Sequence, residues 1–380
     1  SAYLPSRCPS EKPMKVVQIA ESFAYGTAKS VKQLVGILKC DHDVTVFYGE
    51  RDGTGLEQHE LDPTIRWIKL PGTGPLRHVT NLRFLLKQIS NDTSVIHGHS
   101  SFGGAYAKAL GVFRPKSRIL YSPRGYAFLR SDYRWILRKA FWTFERLSAG
   151  FCETVACGPS ELSYAKAMSP TKSTQIGNGW KIPTSVDTEQ VGNGVVSVGR
   201  ISMQKGFDLF LDIVRKLPEV QFDWIGSEEE GQVSMRKNVP SNVNIIDYMP
   251  HEEVLQKIRN ARFVLLPSRW EGLSRFLVES VCLGKAIVTS ECDANVDCLR
   301  KGTLGFENGF KCGNTEEYVA AIQKLLDDDQ MVRAMQNASL AYAKSSFDIA
   351  TISQQWRDLY LQSDRSGAVP SNEQSPAILA

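Results

Sequence analysis

The sequence predicts an α/β protein, and three observations carry that expectation. Phe263–Ser290, FVLLPSRWEGLSRFLVESVCLGKAIVTS, reads as strand, polar turn, helix and strand. Short apolar runs alternate with stretches of helical periodicity along nearly the whole chain. Its 380 residues are enough for two domains, each with its own core.

Within that stretch, Phe263–Leu266 is wholly apolar, the pattern of a strand buried on both faces. Pro267 and Ser268 stop it. Leu273–Leu283 carries apolar residues at helical intervals, Gly284 closes the helix, and Ala286–Thr289 is a second buried strand. Such βαβ units bind ligands at the carboxyl ends of their strands, where Glu271, Gly272 and Ser274 fall. Glu279 follows inside the helix. Two carboxylates near a helix start suit sugar hydroxyls, while the free backbone N–H groups suit an anion.

The rest follows in chain order. Ser1–Pro13 is polar and aperiodic, and reads as disordered or foreign to the fold. Lys15–Ala20 is a strand, Ser22–Thr27 a loop and Ala28–Leu38 a helix. In that loop Gly26 permits close backbone approach, and Thr27 suits a helix cap or a phosphate hydrogen bond. Asp43–Tyr48 is a strand, Gly49–Pro63 a polar loop, Arg66–Leu70 strand-like and Leu76–Ile89 a basic helix. Ser94–His97 ends a strand and leads into His97-Gly98-His99. Gly103 and Gly104 precede a helix at Ala105–Leu110. Arg118–Tyr121 is a strand with Arg124 in the loop after it.

Arg124–Arg146 holds six basic residues, Arg124, Arg130, Arg134, Arg138, Lys139 and Arg146, interleaved with aromatics from Tyr126 to Phe144. Arg130, Arg134 and Arg138 recur at four-residue steps and are expected on one helical side. Basic residues with aromatics between them suit an anionic membrane surface or a lipid-carried acceptor. The alternative is a helix that buries its aromatics and wets its arginines. Thr154–Ala156 is a strand, Ser160–Ala167 a helix and Asn178-Gly179 a turn. Ile182–Gly194 is the interdomain connection. Beyond it, strand Val195–Val198 ends in Gly199-Arg200, and Lys205-Gly206 opens a helix at Phe207–Lys216. Two cations at a strand end suit a nucleotide diphosphate. Gln221–Ile225 is a strand ending at Gly226, Glu228–Gly231 a charged loop, Val243–Ile246 a strand and Glu252–Asn260 a helix. Glu291–Asn295 is a loop. Thr315–Leu326, Gln330–Ser345 and Ile349–Leu361 are helices, and the serine- and proline-rich tail after Asp364 is loose.

Composition narrows the function. The apolar and charged fractions, 42% and 23%, are ordinary for a water-soluble protein, and the net charge of +4 is too mild to argue for nucleic acid. No apolar run has the length of a bilayer span, and no signal-peptide pattern is present. The eight cysteines show no paired CxxC spacing, so reduced thiols in the cytoplasm are expected, with no metal site.

Glu271 and Glu279 with seven residues between them, Gly272, the Gly199-Arg200 and Lys205-Gly206 pair, and His97-Gly98-His99 together resemble retaining GT-B glycosyltransferases of the large family 4 type. The resemblance covers Met14 to Leu361. Ser274 and Arg275 depart from it, standing where relatives often have a more apolar, small-residue run. It implies a GT-B fold of two Rossmann-like domains with a cleft between them. Residues 14–180 bind the acceptor, 181–342 bind the nucleotide sugar, and a helix in 343–362 returns to the first domain. It implies hexosyl transfer from a nucleotide sugar, UDP- or GDP-linked, to a glycan or lipid-linked acceptor, with retention and without a divalent metal or resident cofactor. Arg200 and Lys205 meet the diphosphate. Gly26, Thr27, Gly226, Gly272, Leu273 and Ser274 line the donor, and Glu279 holds the ribose. Glu271 and His99 lie at the transferred sugar, and Arg124, Arg130 and Arg134 meet an anionic acceptor. Surface polysaccharide assembly at the inner face of the plasma membrane is the setting implied. A UDP-sugar epimerase, a phosphorylase and a non-catalytic sugar- or membrane-binding subunit are the alternatives.

Overall fold

The computed structural model describes residues 13–50, 61–169, 172–186, 188, 190–228 and 235–365. The expected disordered start, the loose tail, most of the Gly49–Pro63 loop and the charged loop beyond Glu228 lie outside the described residues.

The first sheet contains strands β1 (Lys15–Ala20), β2 (Asp43–Tyr48), β3 (Arg66–Lys69), β4 (Val95–His99), β5 (Arg118–Ser122), β6 (Glu153–Ala156) and β7 (Ser173–Gln175). All pair parallel, in the order β3-β2-β1-β4-β5-β6-β7. The second sheet contains β8 (Val195–Val198), β9 (Phe222–Ile225), β10 (Val243–Ile246), β11 (Phe263–Leu266) and β12 (Ala286–Ser290). A small hairpin, β13 (Lys301–Gly302) and β14 (Gly305–Phe306), precedes its edge strand β15 (Gly309–Cys312), and the order is β10-β9-β8-β11-β12-β15. The helices α1 (Tyr25–Leu38), α2 (Arg77–Gln88), α3 (Ser100–Phe113), α4 (Trp135–Ser148) and α5 (Pro159–Met168) belong to the first sheet's crossovers. In the second domain come α6 (Phe207–Arg215), α7 (His251–Asn260), α8 (Arg275–Cys282), α9 (Asp293–Val296), α10 (Thr315–Asp327) and α11 (Asp329–Ser346), followed by α12 (Ile349–Arg365). These are two doubly wound Rossmann-like domains, the GT-B architecture. The central parallel strands are mostly buried, as expected of a sheet covered on both faces; β11 is apolar and buried at every residue.

Helix α12 returns to the first domain. Its Ile352, Trp356, Leu359 and Tyr360 lie in one core with Val16, Leu34 and Val95. The outgoing and returning chains meet side by side: Trp180 N–H donates to the Phe347 carbonyl at 2.9 Å and Ile349 N–H to the Trp180 carbonyl at 3.2 Å.

Several elements differ from expectation. Helix α1 begins at Tyr25, so Gly26 and Thr27 lie in its first turn instead of a loop. The N-cap is Ala24, which has no side chain to serve as a cap, so the expected Thr27 cap does not form. Gly103 and Gly104 lie inside α3 because the helix presses on the sheet. A Cβ at Gly104 would stand 2.2 Å from the Tyr121 ring, and one at Gly103 would stand 2.5 Å from the Ile19 carbonyl oxygen. The expected loop Glu291–Asn295 is partly helical, since α9 starts at Asp293.

The largest correction concerns the basic stretch. Arg130, Arg134 and Arg138 do not share a helical face, since α4 starts only at Trp135. Arg130 follows a short 3-10 turn, Ala127–Leu129, in extended conformation. It folds back on Asp132 at 2.7 Å and stacks on Tyr133 at 4.2 Å, local bonds that compete with helix formation. Arg134 is the N-cap of α4. Only Glu145 of α4 is buried, paired with Lys108 at 2.7 Å, and the helix turns apolar residues outward: Trp135 is 70% and Leu147 75% exposed.

Candidate functional site

The carboxyl ends of β8 and β11 face those of β1, β4 and β5. Gly206, at φ +68, turns the chain into α6; a Cβ there would lie 2.1 Å from the Pro267 carbonyl oxygen. That turn places Lys205 beside the loop after β11, where its Nζ reaches Glu271 Oε1 at 2.6 Å. The pair is largely buried, 16% and 8% exposed. Arg200 donates to Gln204 Oε1 at 3.0 Å, and its guanidinium lies 4.7 Å above the Tyr25 ring of the first domain. Gly226, at φ +140, brings the loop after β9 against the Gly199 carbonyl. Glycine is required there, because a Cβ would stand 2.2 Å from that oxygen.

The two domains touch backbone to backbone. A Cβ on Gly272 would be 2.7 Å from the Arg124 carbonyl carbon, and one on Gly125 would be 3.0 Å from Gly272 N. Asn178 joins them: its Oδ1 accepts from Arg124 Nη1 at 3.0 Å and Ser30 Oγ at 3.1 Å, and its Nδ2 donates to the Leu273 carbonyl at 3.1 Å. Glu161 fixes the loop after β5 by accepting from Gly125 N and Cys157 N, each at 2.7 Å. At the start of α9 Asp293 accepts from Tyr164 OH, and just after its end Asp297 accepts from Ser160 Oγ, both at 2.6 Å. A cavity of about 200 Å³ opens beside these contacts, lined by Tyr164, Trp270, Glu271, Gly272 and Asp293 among others.

Ser274 caps α8, its Oγ accepting from Leu277 N at 3.5 Å, which is why the helix begins at Arg275 instead of Leu273. One turn on, Glu279 is 93% buried at its side chain, and its Oε1 has no hydrogen-bond partner. Arg275 Nε approaches that oxygen only to 3.9 Å and His251 Nε2 to 3.6 Å. Burial raises the Glu279 pKa, and Arg275 and Lys29 oppose the rise. Burial is also the main cause that lowers His251, to about 4, with Lys29 and Arg275 adding to it.

The first domain holds a buried polar chain behind the cleft. Gln18 donates to Tyr360 OH at 2.9 Å and accepts from His99 Nε2 at 2.8 Å. Tyr360 OH also hydrogen-bonds His97 Nδ1 at 2.8 Å, and His97 Nε2 hydrogen-bonds Ser122 Oγ at 2.9 Å. Both rings are fully buried, and burial holds both well below the ordinary histidine range. His99 Nδ1 is left without a hydrogen-bond partner.

The structure thus brings Arg200, Lys205, Glu271, Gly272, Gly226 and Glu279 to one side of the cleft, with Gly26 and Thr27 opposite. Arg124 lies at the domain contact. His99 is at the strand end but has no exposed surface, and Arg130 and Arg134 sit outward, Arg130 5.7 Å from the Trp270 ring. Sequence reasoning passed over Tyr25, Lys29 and His251, read Asn178 only as part of a turn, and noted Arg275 only as a departure from the family pattern. Among the described residues no group of three or more His, Cys, Asp or Glu side chains is placed to hold a metal ion.

Residues 192–328 match the family described as Glycosyl transferases group 1. A Klebsiella pneumoniae protein, described as an uncharacterized 41.2 kDa protein in the cps region, is 23% identical over 327 residues, 79% of this chain and 87% of that one. Other curated relatives are spanned over about half their length or less. Among solved structures, sucrose-phosphate synthase from Thermosynechococcus elongatus superposes with a TM-score of 0.78 at 17% identity, over 93% of this chain and all of that one. Anabaena Alr3699/HepE, solved with UDP and glucose, gives 0.73 at 17% identity, over 91% and 99% of the two chains.

Proposed function

We propose, from the match of residues 192–328 to glycosyl transferases group 1 and the GT-B architecture of the chain, a retaining hexosyltransferase that needs no divalent metal. It moves a hexosyl group from a nucleoside-diphosphate sugar to a hydroxyl of a glycan or lipid-linked acceptor. The observation that carries this reading is the Lys205–Glu271 ion pair beside Arg200 at the strand ends. Arg200 and Lys205 meet the departing diphosphate, whose charge rises as the glycosidic bond breaks, and this is where a fixed cation is worth most. Glu271 receives hexose hydroxyls, Glu279 receives the ribose, and the hexose lies between Glu271 and the strand end at His99. The donor phosphate takes the acceptor's proton. UDP is the nucleotide we favour, since HepE was solved with it, and surface-polysaccharide assembly the setting, given the cps-region relative. A thermal-shift series with UDP, GDP and ADP tests the site. A nucleotide bound to the folded state raises the melting temperature with concentration as RT ln(1 + [L]/Kd), and no response to any of the three contradicts the reading.

Helix α4 supplies the membrane contact in this reading. No helix among the described residues is long and apolar enough to cross a bilayer. Yet Trp135, Ile136, Trp142, Phe144 and Leu147 are exposed alongside Arg134, Lys139 and Arg146. Outward aromatics among cations match an anionic lipid interface. Replacing Trp135, Trp142 and Leu147 with Ser is expected to abolish sedimentation with phosphatidylglycerol vesicles while the nucleotide-induced shift persists. Unchanged sedimentation removes the membrane role.

A further inference from the structure

Arg275 is the departure from the family pattern that the reaction above leaves unused. It is the first residue of α8, and its side chain is 13% exposed. A guanidinium out of water needs a carboxylate close by or an anion from elsewhere. Arg275 has neither at short range. Its Nη1 donates to neutral partners on α1, Gln33 Oε1 at 3.2 Å and Ser30 Oγ at 3.4 Å. Its Nε makes no hydrogen bond, and the Glu279 oxygen that it approaches makes none either. Arg124, close enough to disfavour the charge on Arg275, has no ion pair among the described residues; it bonds Asn178, and its Nε is also without a partner. Three cations, Arg124, Arg275 and Lys29, therefore share this part of the domain contact with two carboxylates, Glu161 and Glu279, and Arg275 approaches only the loosely placed Glu279.

The position of the excess charge names its partner. The Arg275 Cδ lies 3.9 Å from where a Gly26 side chain would begin. Tyr25, the preceding residue, carries Arg200 on its ring at 4.7 Å. The first turn of α1 is thus flanked by Arg200 from the loop after β8 and by the stem of Arg275 from the start of α8, whose guanidinium lies further along α1 at Ser30 and Gln33. An anion over Gly26 has Arg200 on one side and, on the other, a guanidinium that turns back from α1 to reach it.

We propose that Arg275 is a further cation of the donor site, its guanidinium receiving the nucleoside diphosphate beside Gly26. This rests on the donor reading above and adds a residue to it. Arginine suits the place, since its fork can keep one N–H on Gln33 while others turn to phosphate.

Isothermal titration with UDP, GDP and ADP, and with the matching nucleosides, tests this on the full chain. For whichever diphosphate the parent binds, Arg275→Gln is expected to raise Kd about 10- to 100-fold, the cost of a charge-assisted hydrogen bond, and to leave nucleoside binding within about twofold. Arg275→Lys is expected to fall between. Gln33→Ala, which removes the α1 anchor and no charge, is expected to leave the diphosphate Kd within about twofold. A diphosphate Kd unchanged in Arg275→Gln overturns the proposal and leaves the donor reading standing. So does a loss shared equally by nucleoside and diphosphate, or one matched by Gln33→Ala, since either marks Arg275 as a strut between domains. A parent that binds none of the three diphosphates removes the donor reading, and the assignment of Arg275 with it.

Discussion

Replacing Lys205 with Met separates the two tasks of that side chain. Its Nζ sits 2.6 Å from Glu271 Oε1, and the two side chains are only 16% and 8% exposed. Without the cation, Glu271 is a carboxylate in a place that water barely reaches. Breaking a buried pair from one side costs about 3–5 kcal/mol, and at the edge of a cleft the lower figure, about 3 kcal/mol, applies. Adding Glu271→Gln removes the stranded charge, so the double variant should recover most of that loss. In urea unfolding followed by tryptophan fluorescence, a loss of about 3 kcal/mol lowers the midpoint by about 1 M at a slope near 3 kcal/mol/M. Turnover should behave differently. The cation is also lost from the diphosphate, which costs about 10- to 100-fold in kcat/KM, and Glu271→Gln cannot return it. Stability within about 0.5 kcal/mol of the parent in Lys205→Met would refute the burial argument. Recovery of turnover in the double variant would refute the diphosphate role.

Glu279→Ala is expected to raise the donor KM with kcat less changed, because ribose contacts are much the same before and during transfer; a fall confined to kcat in steady-state kinetics would contradict that. His251, at about 4 in the folded protein, takes up its proton more readily when unfolded, at its ordinary 6.5. Its contribution is therefore present in full above about pH 6.5 and lost as pH falls toward about 4. The parent should lose stability relative to His251→Gln across that window, read as urea midpoints. A difference that stays constant from about pH 7.5 to about pH 4.5 would count against the burial of this imidazole.

Much of the fold was legible because its signals are local. The mostly apolar run at Lys15–Ala20 and the wholly apolar one at Phe263–Leu266 point to buried parallel strands, and both are found within a residue of expectation. The spacing of Glu271 and Glu279 and the Arg200–Lys205 pair were visible for the same reason, each set by one strand end and one helix start. The start of α1 was not, since Tyr25 enters it at φ +47, a conformation that no pattern signals. Nor was the end of the expected basic face, because Arg130 prefers Asp132 and Tyr133 to a helix. The outward aromatics of α4 follow from which face the sheet leaves uncovered, a tertiary fact. The link through Asn178 joins Arg124, Ser30 and Leu273, as many as 148 residues from it in sequence. Such a bond exists only once two domains have closed. Arg275 was visible as an anomaly, but its buried surroundings come from α1, far away in the chain.

The central claim is transfer from a nucleoside-diphosphate sugar with retention and without metal, and proton NMR of the first sugar released reads it most directly. Incubated with UDP- and GDP-hexoses in excess EDTA, the protein is expected to release nucleoside diphosphate and, before mutarotation, a hexose or glycoside with the donor's anomeric configuration. A first product of inverted configuration, or release that stops in EDTA and resumes with manganese or magnesium, would contradict it.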